Sequence, residues 1–422
     1  MDILVINPGG SSTKIAVFSA ENKPRMDTKR HEFGLRQIFG STIRHSVKEL
    51  IKFKSIFDQI DYRKSLILKA IGNRNYDAIV TRGGPLKPLQ SGTYQITKQV
   101  VDDIKKGKVQ SMHPSLLGPL IAYEMAEERS NMKPLITPII RMIKNQNKNR
   151  LNPSNPWFKK YKRTVPAFFV DPESVDEFSP LARISGLPEI PRKSLSHFLN
   201  TNAVVRKAVE KLGKKVNQCN FIITHLGSGI TVAAKHKGKQ IDANNANEDG
   251  PFSPQRSGSL PLQGVIDMCF SGKYTRKEML DKIQRKGGLL AYLGTDDIRE
   301  IEKRIKNGDH TPFDKLNKDK TKTDNLSISE PDKRCGAELI YNAMIYQIAK
   351  EIGAMFVALK GKVTAIIITG GIAYQKQLVN KLKLWIKFMK KPILIFPGEE
   401  EMTALAQGAL RIMSGIEKEQ QY

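Results

Sequence analysis

Met1-Asp-Ile-Leu-Val-Ile-Asn-Pro-Gly-Gly-Ser-Ser-Thr-Lys-Ile-Ala-Val-Phe18 decides the fold, because an altered copy returns in the second half of the chain as Phe221-Ile-Ile-Thr-His-Leu-Gly-Ser-Gly-Ile-Thr-Val-Ala233. Each copy reads as an apolar strand, a turn of Gly and small hydroxyl residues, and a second apolar strand. Glycine closes such a turn tightly and brings backbone N–H groups near an anion, while Ser and Thr hydroxyls and Lys14 add donors for phosphate oxygens. With Gly9, Ser11 and Ser12 in the first turn and Gly227, Ser228 and Gly229 in the second, the chain is expected to hold a polyphosphate between two related halves. Taken alone, either turn is equally an ordinary hairpin that needs positive φ. A third apolar strand, Ala365-Ile-Ile-Ile-Thr-Gly-Gly-Ile-Ala373, ends on Gly370 and Gly371, where bare backbone admits a flat ligand.

Working outward, 422 residues exceed what one hydrophobic core supports, so two domains are expected, and 40% hydrophobic residues suffice for both cores. Strands alternate with helices: helical patterns fall around Arg44–Phe53, over Leu117–Glu128, over Asn200–Leu212 and over Gly336–Leu359, which points to an α/β fold. Met344 and the tyrosines of the last run sit at core spacing. Cys219, Cys269 and Cys335 lie far apart without metal or disulfide spacing, which fits a reducing compartment. The chain opens directly into a strand and holds no apolar run of membrane-spanning length, so a cytoplasmic protein is expected.

The formal charge of +27 stands out, since such a balance points to polyanions or anionic surfaces. Part of it lies in Arg129–Thr164, which carries ten Lys or Arg, no Asp or Glu, and Trp157, Phe158 and Tyr161. A second polar stretch spans 307–333. Both read as surface inserts, and contact of the first with nucleic acid or an anionic membrane is the less favoured of its two readings, the other being a solvated loop.

Several stretches resemble the butyrate kinase branch of the acetate kinase family, in the superfamily of acetate and sugar kinases, Hsp70 and actin. They are Thr81-Arg-Gly-Gly-Pro-Leu-Lys-Pro88, Phe169-Val-Asp-Pro172, Ala182-Arg-Ile-Ser-Gly-Leu-Pro-Glu-Ile190, Asp249-Gly-Pro-Phe-Ser-Pro-Gln-Arg-Ser-Gly258, Cys269-Phe-Ser-Gly-Lys-Tyr-Thr275, Ala291-Tyr-Leu-Gly-Thr-Asp-Asp297 and Phe396-Pro-Gly-Glu399. The resemblance implies two duplicated ribonuclease-H-like lobes of the actin-like ATPase fold, residues 1–171 with 398–422 for acid and phosphoryl group and 172–397 for nucleotide. It implies an ATP-dependent carboxylate kinase, homo-oligomeric, that reversibly makes an acyl phosphate and ADP from a short-chain fatty acid, butyrate or a branched relative, with Mg²⁺.

Residue by residue, the resemblance makes Arg82 and Arg256 guanidinium contacts to carboxylate and phosphoryl oxygens, and Asp171 a catalytic aspartate that orients the acid and binds the metal. Asn7 faces metal and phosphates, and His225 is either a transition-state donor or a satisfied structural histidine. Glu400 is favoured among Glu399, Glu400 and Glu401 as the second metal carboxylate. Gly370 and Gly371 resemble the adenosine loop, and Asp297 and Arg299 the ribose and adenine contacts, although Asp297 reads equally as the start of a helix. His197 and Asn200 fall where relatives differ, and neither is carried over. The chain departs from the branch in reading Pro-Gly-Gly-Ser-Ser-Thr in the first hairpin, Ser228 in the second, and no asparagine in Ser111-Met-His-Pro-Ser-Leu-Leu-Gly118. The rival readings are an ATPase or polyphosphate hydrolase of the superfamily, for which a guanidinium pair has no evident use, and a weakened kinase with an added polyanion-binding role.

Overall fold

The structure, a computed structural model, describes residues 1–21, 34–132, 165–309 and 336–422. The two inserts, 129–164 and 307–333, and Cys335 fall wholly or almost wholly outside them. Strands run β1 Asp2–Pro8, β2 Ser12–Glu21, β3 Gly34–Arg44, β4 Ala78–Thr81, β5 Thr93–Gln95, β6 Ala167–Val170, β7 Asn220–Leu226, β8 Ile230–His236, β9 Lys239–Ala243, β10 Ala365–Gly370 and β11 Ile393–Pro397. The longer helices are α1 Ile60–Ile71, α2 Lys98–Lys105, α3 Leu117–Met132, α4 Phe198–Leu212, α5 Leu262–Phe270, α6 Arg276–Gln284, α7 Ile298–Lys306, α8 Ala337–Ala358, α9 Lys376–Ile386 and α10 Glu401–Met413. Two compact units result, Met1–Asp176 with Glu400–Tyr422, and Glu177–Glu399.

In the first unit the sheet order is β3-β2-β1-β4-β6-β5. β1 pairs antiparallel with β2 and parallel with β4, and β4 pairs parallel with β6. Ile3, Leu4, Val5 and Ile6 are fully buried, because helices cover both faces of a parallel neighbourhood and leave neither side polar. Leu4 and Ile6 join Ile67 of α1, Ile104 of α2 and Leu120 of α3 in one cluster. α10 packs against β1 and β6, and Gly408 permits that approach, since a Cβ there would stand 2.6 Å from Val170.

The second unit repeats the plan, with order β11-β10-β7-β8-β9 and the same antiparallel hairpin beside parallel strands. Side chains alternate across β7: Ile222 faces Met344, Ile348 and Ile352 of α8, whereas Phe221 and Ile223 face Val204, Val205 and Ala208 of α4. Each fully buried Ile or Leu here contributes on the order of 2 kcal/mol of hydrophobic stabilisation. Met344 is fully buried, as its spacing implied.

The helix expected around Arg44–Phe53 is reduced to one turn, Val47–Leu50, because Arg44 ends β3 instead. β3 is an edge strand of its sheet, with most residues exposed and only Phe39 and Ile43 packed on the core, so its apolar alternation is thin. Among the described residues no helix is long and apolar enough to cross a membrane.

Candidate active site

In the first unit three candidate positions follow the carboxyl ends of neighbouring parallel strands. The register aligns Ile6 with Thr81 and Thr81 with Phe169, which brings Asn7, Arg82 and Asp171 to one edge of the sheet. Arg82 reaches Glu173 at 3.1 Å and Glu401 at 3.0 Å. Asn7 Nδ2 donates to the other oxygen of Glu401 at 2.8 Å. Glu401 is the buried carboxylate of this cluster, supplied by the first turn of α10. Glu400, the residue favoured for the metal from sequence, is exposed and immediately precedes that helix, with φ −101° and ψ 36°.

Asp171 is 4% exposed and holds a left-handed φ of 41°, a conformation that an ordinary side chain adopts at a cost of about 1 kcal/mol or more. Gly92 fixes it from both sides. The Asp171 N–H donates to Gly92 O at 2.9 Å, and Gly92 N–H donates to Asp171 Oδ1 at 2.8 Å. Such strain, tied down at a strand end, makes Asp171 a candidate site carboxylate.

Behind the first turn lies a residue that the sequence reading passed over. Arg63 of α1, 1% exposed, donates to Gly9 O at 2.8 Å and Gly10 O at 3.0 Å, and its remaining contacts are Thr13 Oγ1 and Gln59 Oε1. Lys14 is exposed on β2 opposite Asn7, and Gly10 and Ser11 are exposed at the turn. Ser12 O accepts the Gly9 N–H at 2.7 Å, closing the hairpin.

In the second unit His225 stands near the end of β7, 1% exposed. Asn200 Nδ2 lies 2.6 Å from its Nδ1, and the His197 ring stacks on it with centroids 4.2 Å apart. His197 Nδ1 in turn meets Thr231 Oγ1 at 2.8 Å. With the Asn200 amide donating to Nδ1, the ring proton belongs on Nε2. That nitrogen is 3.3 Å from Glu399 Oε1, outside hydrogen-bond alignment. His197 and Asn200, left uncarried from sequence, thus orient His225.

Arg256 lies on the second turn. A Cβ at Gly229 would stand 2.5 Å from its guanidinium carbon, so only glycine leaves room for it. Ser253 ties the two segments, donating its hydroxyl to Ser228 O and accepting from Arg256 N at 3.1 Å. Ser228 therefore contributes its carbonyl. Gly227 faces His225 Nε2.

Gly370 has φ 95° and would bring a Cβ to within 2.2 Å of Leu226 O, whereas a Cβ on exposed Gly371 would meet nothing. The Asp297 side chain accepts from Arg299 N at 2.9 Å and capS α7, and the Arg299 guanidinium pairs with it at 2.7 Å, which holds its carboxyl down at about 2. The helix-start reading of Asp297 is therefore realised. Among the described residues no group of three His, Cys, Asp or Glu is gathered for a metal.

The comparisons add identity to this geometry. Residues 192–317 match the model of the Acetokinase family. A probable butyrate kinase from Clostridium botulinum (strain Alaska E43 / Type E3) is 38% identical over 426 residues, covering 100% of this chain and 99% of its own. Butyrate kinase 2 from Clostridium acetobutylicum is similar to the same extent over the same shares. Among solved structures, acetate kinase from Porphyromonas gingivalis has a TM-score of 0.65 at 18% identity, covering 98% of this chain and 99% of that one. Acetate kinase from Entamoeba histolytica gives 0.62 at 16%, with 97% and 99% covered. At these identities the two structures speak for the fold, which is the two-lobed α/β fold expected from sequence.

Proposed function

The chain belongs to the acetokinase family, and from that premise we propose that it transfers the terminal phosphoryl group of ATP to a short-chain fatty acid, butyrate or a branched relative, giving an acyl phosphate and ADP. The carboxylate kinase class follows from the family; butyrate or a branched relative as the acid is our proposal. The observation that carries it is the Arg256 guanidinium packed on the bare backbone of Gly229, a cation fixed at a phosphate-type turn. Phosphoryl transfer needs alignment and charge neutralisation more than covalent help.

In this reading the acid's carboxylate oxygen attacks the γ-phosphorus and the bond to the ADP oxygen breaks, with the electron pair leaving on ADP. Arg82 and Arg256 neutralise carboxylate and phosphoryl oxygens, which a planar guanidinium does in bidentate fashion. The His225 ring donates from Nε2 to the transferring group. The exposed Gly10 and Ser11 of the first turn, with Lys14, and Gly227, Ser228 and Gly229 of the second take the phosphates. Gly370 and Gly371 lie under adenosine, beside Asp297 and Arg299.

Mg²⁺ prefers oxygen donors and takes only one or two carboxylates beside phosphate oxygens and water. The donor set fits that habit: Asp171 offers a carboxylate at a strand end, and the Asn7 amide turns its nitrogen to Glu401, which leaves its oxygen directed elsewhere. Asp171, Asn7 and Glu401 would hold the ion, which when bound neutralises charge on the phosphates. Mg²⁺ dependence and homo-oligomeric assembly, which the family resemblance implies, belong to the same proposal, as does the cytoplasmic location expected from the sequence.

With Mg-ATP and hydroxylamine, acids of two to five carbons should yield a hydroxamate, most rapidly with butyrate or isobutyrate. Brisk ATP hydrolysis with no acid-dependent hydroxamate would make the chain an ATPase and end this reading.

A further inference from the structure

Arg63 is a buried cation with no carboxylate partner among the described residues. Its guanidinium is 1% exposed, and every acceptor it meets among the described residues is neutral: Gly9 O, Gly10 O, Thr13 Oγ1 and Gln59 Oε1. Burying a charge is expensive, and proteins usually pair it with an opposite one. If only hydrogen bonds to two carbonyls were required, a neutral amide would supply them without that desolvation penalty.

The backbone suggests where the missing charge resides. Gly9 O and Gly10 O point back to Arg63, and Ser11 O accepts the His45 N–H at 2.8 Å. In a planar trans peptide the N–H opposes the C=O, so carbonyls drawn inward turn the following N–H groups outward. The N–H groups of Gly10 and Ser11 therefore face away from Arg63, at exposed residues, and no backbone acceptor among the described residues takes them. Successive N–H groups so arranged form an anion-binding concavity.

The neighbouring histidine keeps the charge single. Thr13 Oγ1 accepts from Arg63 at 3.2 Å and lies 2.9 Å from His45 Nε2, so the cation and the imidazole share this one hydroxyl. Burial and then the Arg63 charge push the His45 ring down to about 4, with Glu49 opposing weakly. One fixed positive charge and a row of outward N–H groups stand on opposite sides of the same turn.

We propose that Arg63 is the buried positioning cation of the first hairpin: it fixes the Gly9 and Gly10 carbonyls from behind, and its charge is balanced by the phosphoryl groups bound on the opposite face of that turn. This rests on the reading of the hairpin as a phosphate site. Arg63 touches no phosphate itself; it acts through the turn, on geometry and on charge.

The test uses the full-length protein and two probes, inorganic tripolyphosphate and adenosine, titrated by calorimetry into wild type, Arg63→Gln and Arg63→Lys. Arg63→Gln keeps hydrogen-bonding capacity and loses the charge, so tripolyphosphate affinity should fall about ten-fold or more while adenosine affinity is unchanged. Arg63→Lys keeps the charge but a point donor cannot span two carbonyls, so tripolyphosphate affinity should stay within about three-fold while kcat drops about ten-fold or more. Should Arg63→Gln fail to fold, the split in Arg63→Lys between retained affinity and lost kcat decides alone. Tripolyphosphate bound as tightly by Arg63→Gln as by wild type, or wild-type kcat in Arg63→Lys, would reduce Arg63 to a structural strut. Absence of tripolyphosphate binding by the wild type would instead overturn the phosphate reading of the hairpin, and this inference with it.

Discussion

Glu401 presents one oxygen to Arg82 and the other to the Asn7 amide, so its charge orients both residues that the proposed reaction places at metal and acid. Removing that charge while keeping the shape should release Arg82 toward Glu173 and free the Asn7 side chain. We expect Glu401→Gln to lower kcat about 10²-fold, close to 3 kcal/mol of barrier, and Glu400→Gln to stay within about two-fold of wild type. Steady-state rates of hydroxamate formation check it, and the reverse ranking would move the metal carboxylate back to Glu400. His225 offers a second test. Asn200→Asp replaces the donor at Nδ1 with an acceptor, which should draw the ring proton to Nδ1 and deprive Nε2 of it. Ring-nitrogen chemical shifts should report the changed tautomer together with a fall in kcat of about ten-fold or more. An unchanged tautomer with unchanged rate would make Asn200 a packing residue.

At the scale of elements, the two glycines after β10 separate backbone need from ligand room. Gly370 is obligatory for the chain itself, with φ 95° and Leu226 O in the way of any Cβ, so Gly370→Ala should impair folding. Gly371 has open space around it. Gly371→Ala should therefore keep the wild-type melting temperature within about 2 °C yet raise KM for ATP about ten-fold, and an unchanged KM would remove this loop from the adenosine site. The hairpins and this loop were legible in sequence because buried parallel strands are continuous apolar runs and the turn chemistry sits at their ends. β3 was not, since an edge strand with an exposed face carries little apolar alternation. Site partners were legible only where they share a motif. Glu401 meets Asn7 across a separation of 394 residues, and Arg63 reads on α1 as one more charged helical residue, so both needed the sheet and helix packing to be found.

The whole chain carries its second unit as an insertion, Glu177–Glu399, within the sequence of the first, and each unit has its own core. Two titratable groups, the buried His45 and the half-buried Glu351, give these cores opposite responses to pH. His45 in the first unit is pushed from 6.5 down to about 4, so protonation favours the unfolded chain and stability is lost as pH falls from 6.5 toward 4. Glu351 in the second unit is pushed from 4.5 up to about 7, mainly by burial and then by the charges of Asp249 and Asp242, against Arg192. Its folded form holds a proton that the unfolded form has already released, so stability is lost as pH rises from 4.5 through 7. Asp77 in the first unit and Asp249 in the second are also raised by burial and shape the absolute curves, so the informative quantity is the difference between variant and wild type. Glu351→Gln should melt higher than wild type by an amount that grows between pH 5 and pH 8. His45→Gln should melt higher than wild type by an amount that grows as pH falls from 6.5 to 4.5. Scanning calorimetry of both variants across that range would measure the two slopes, and a difference that does not change with pH, or that changes in the sense opposite to the one stated, would show that the group concerned does not control the stability of its unit.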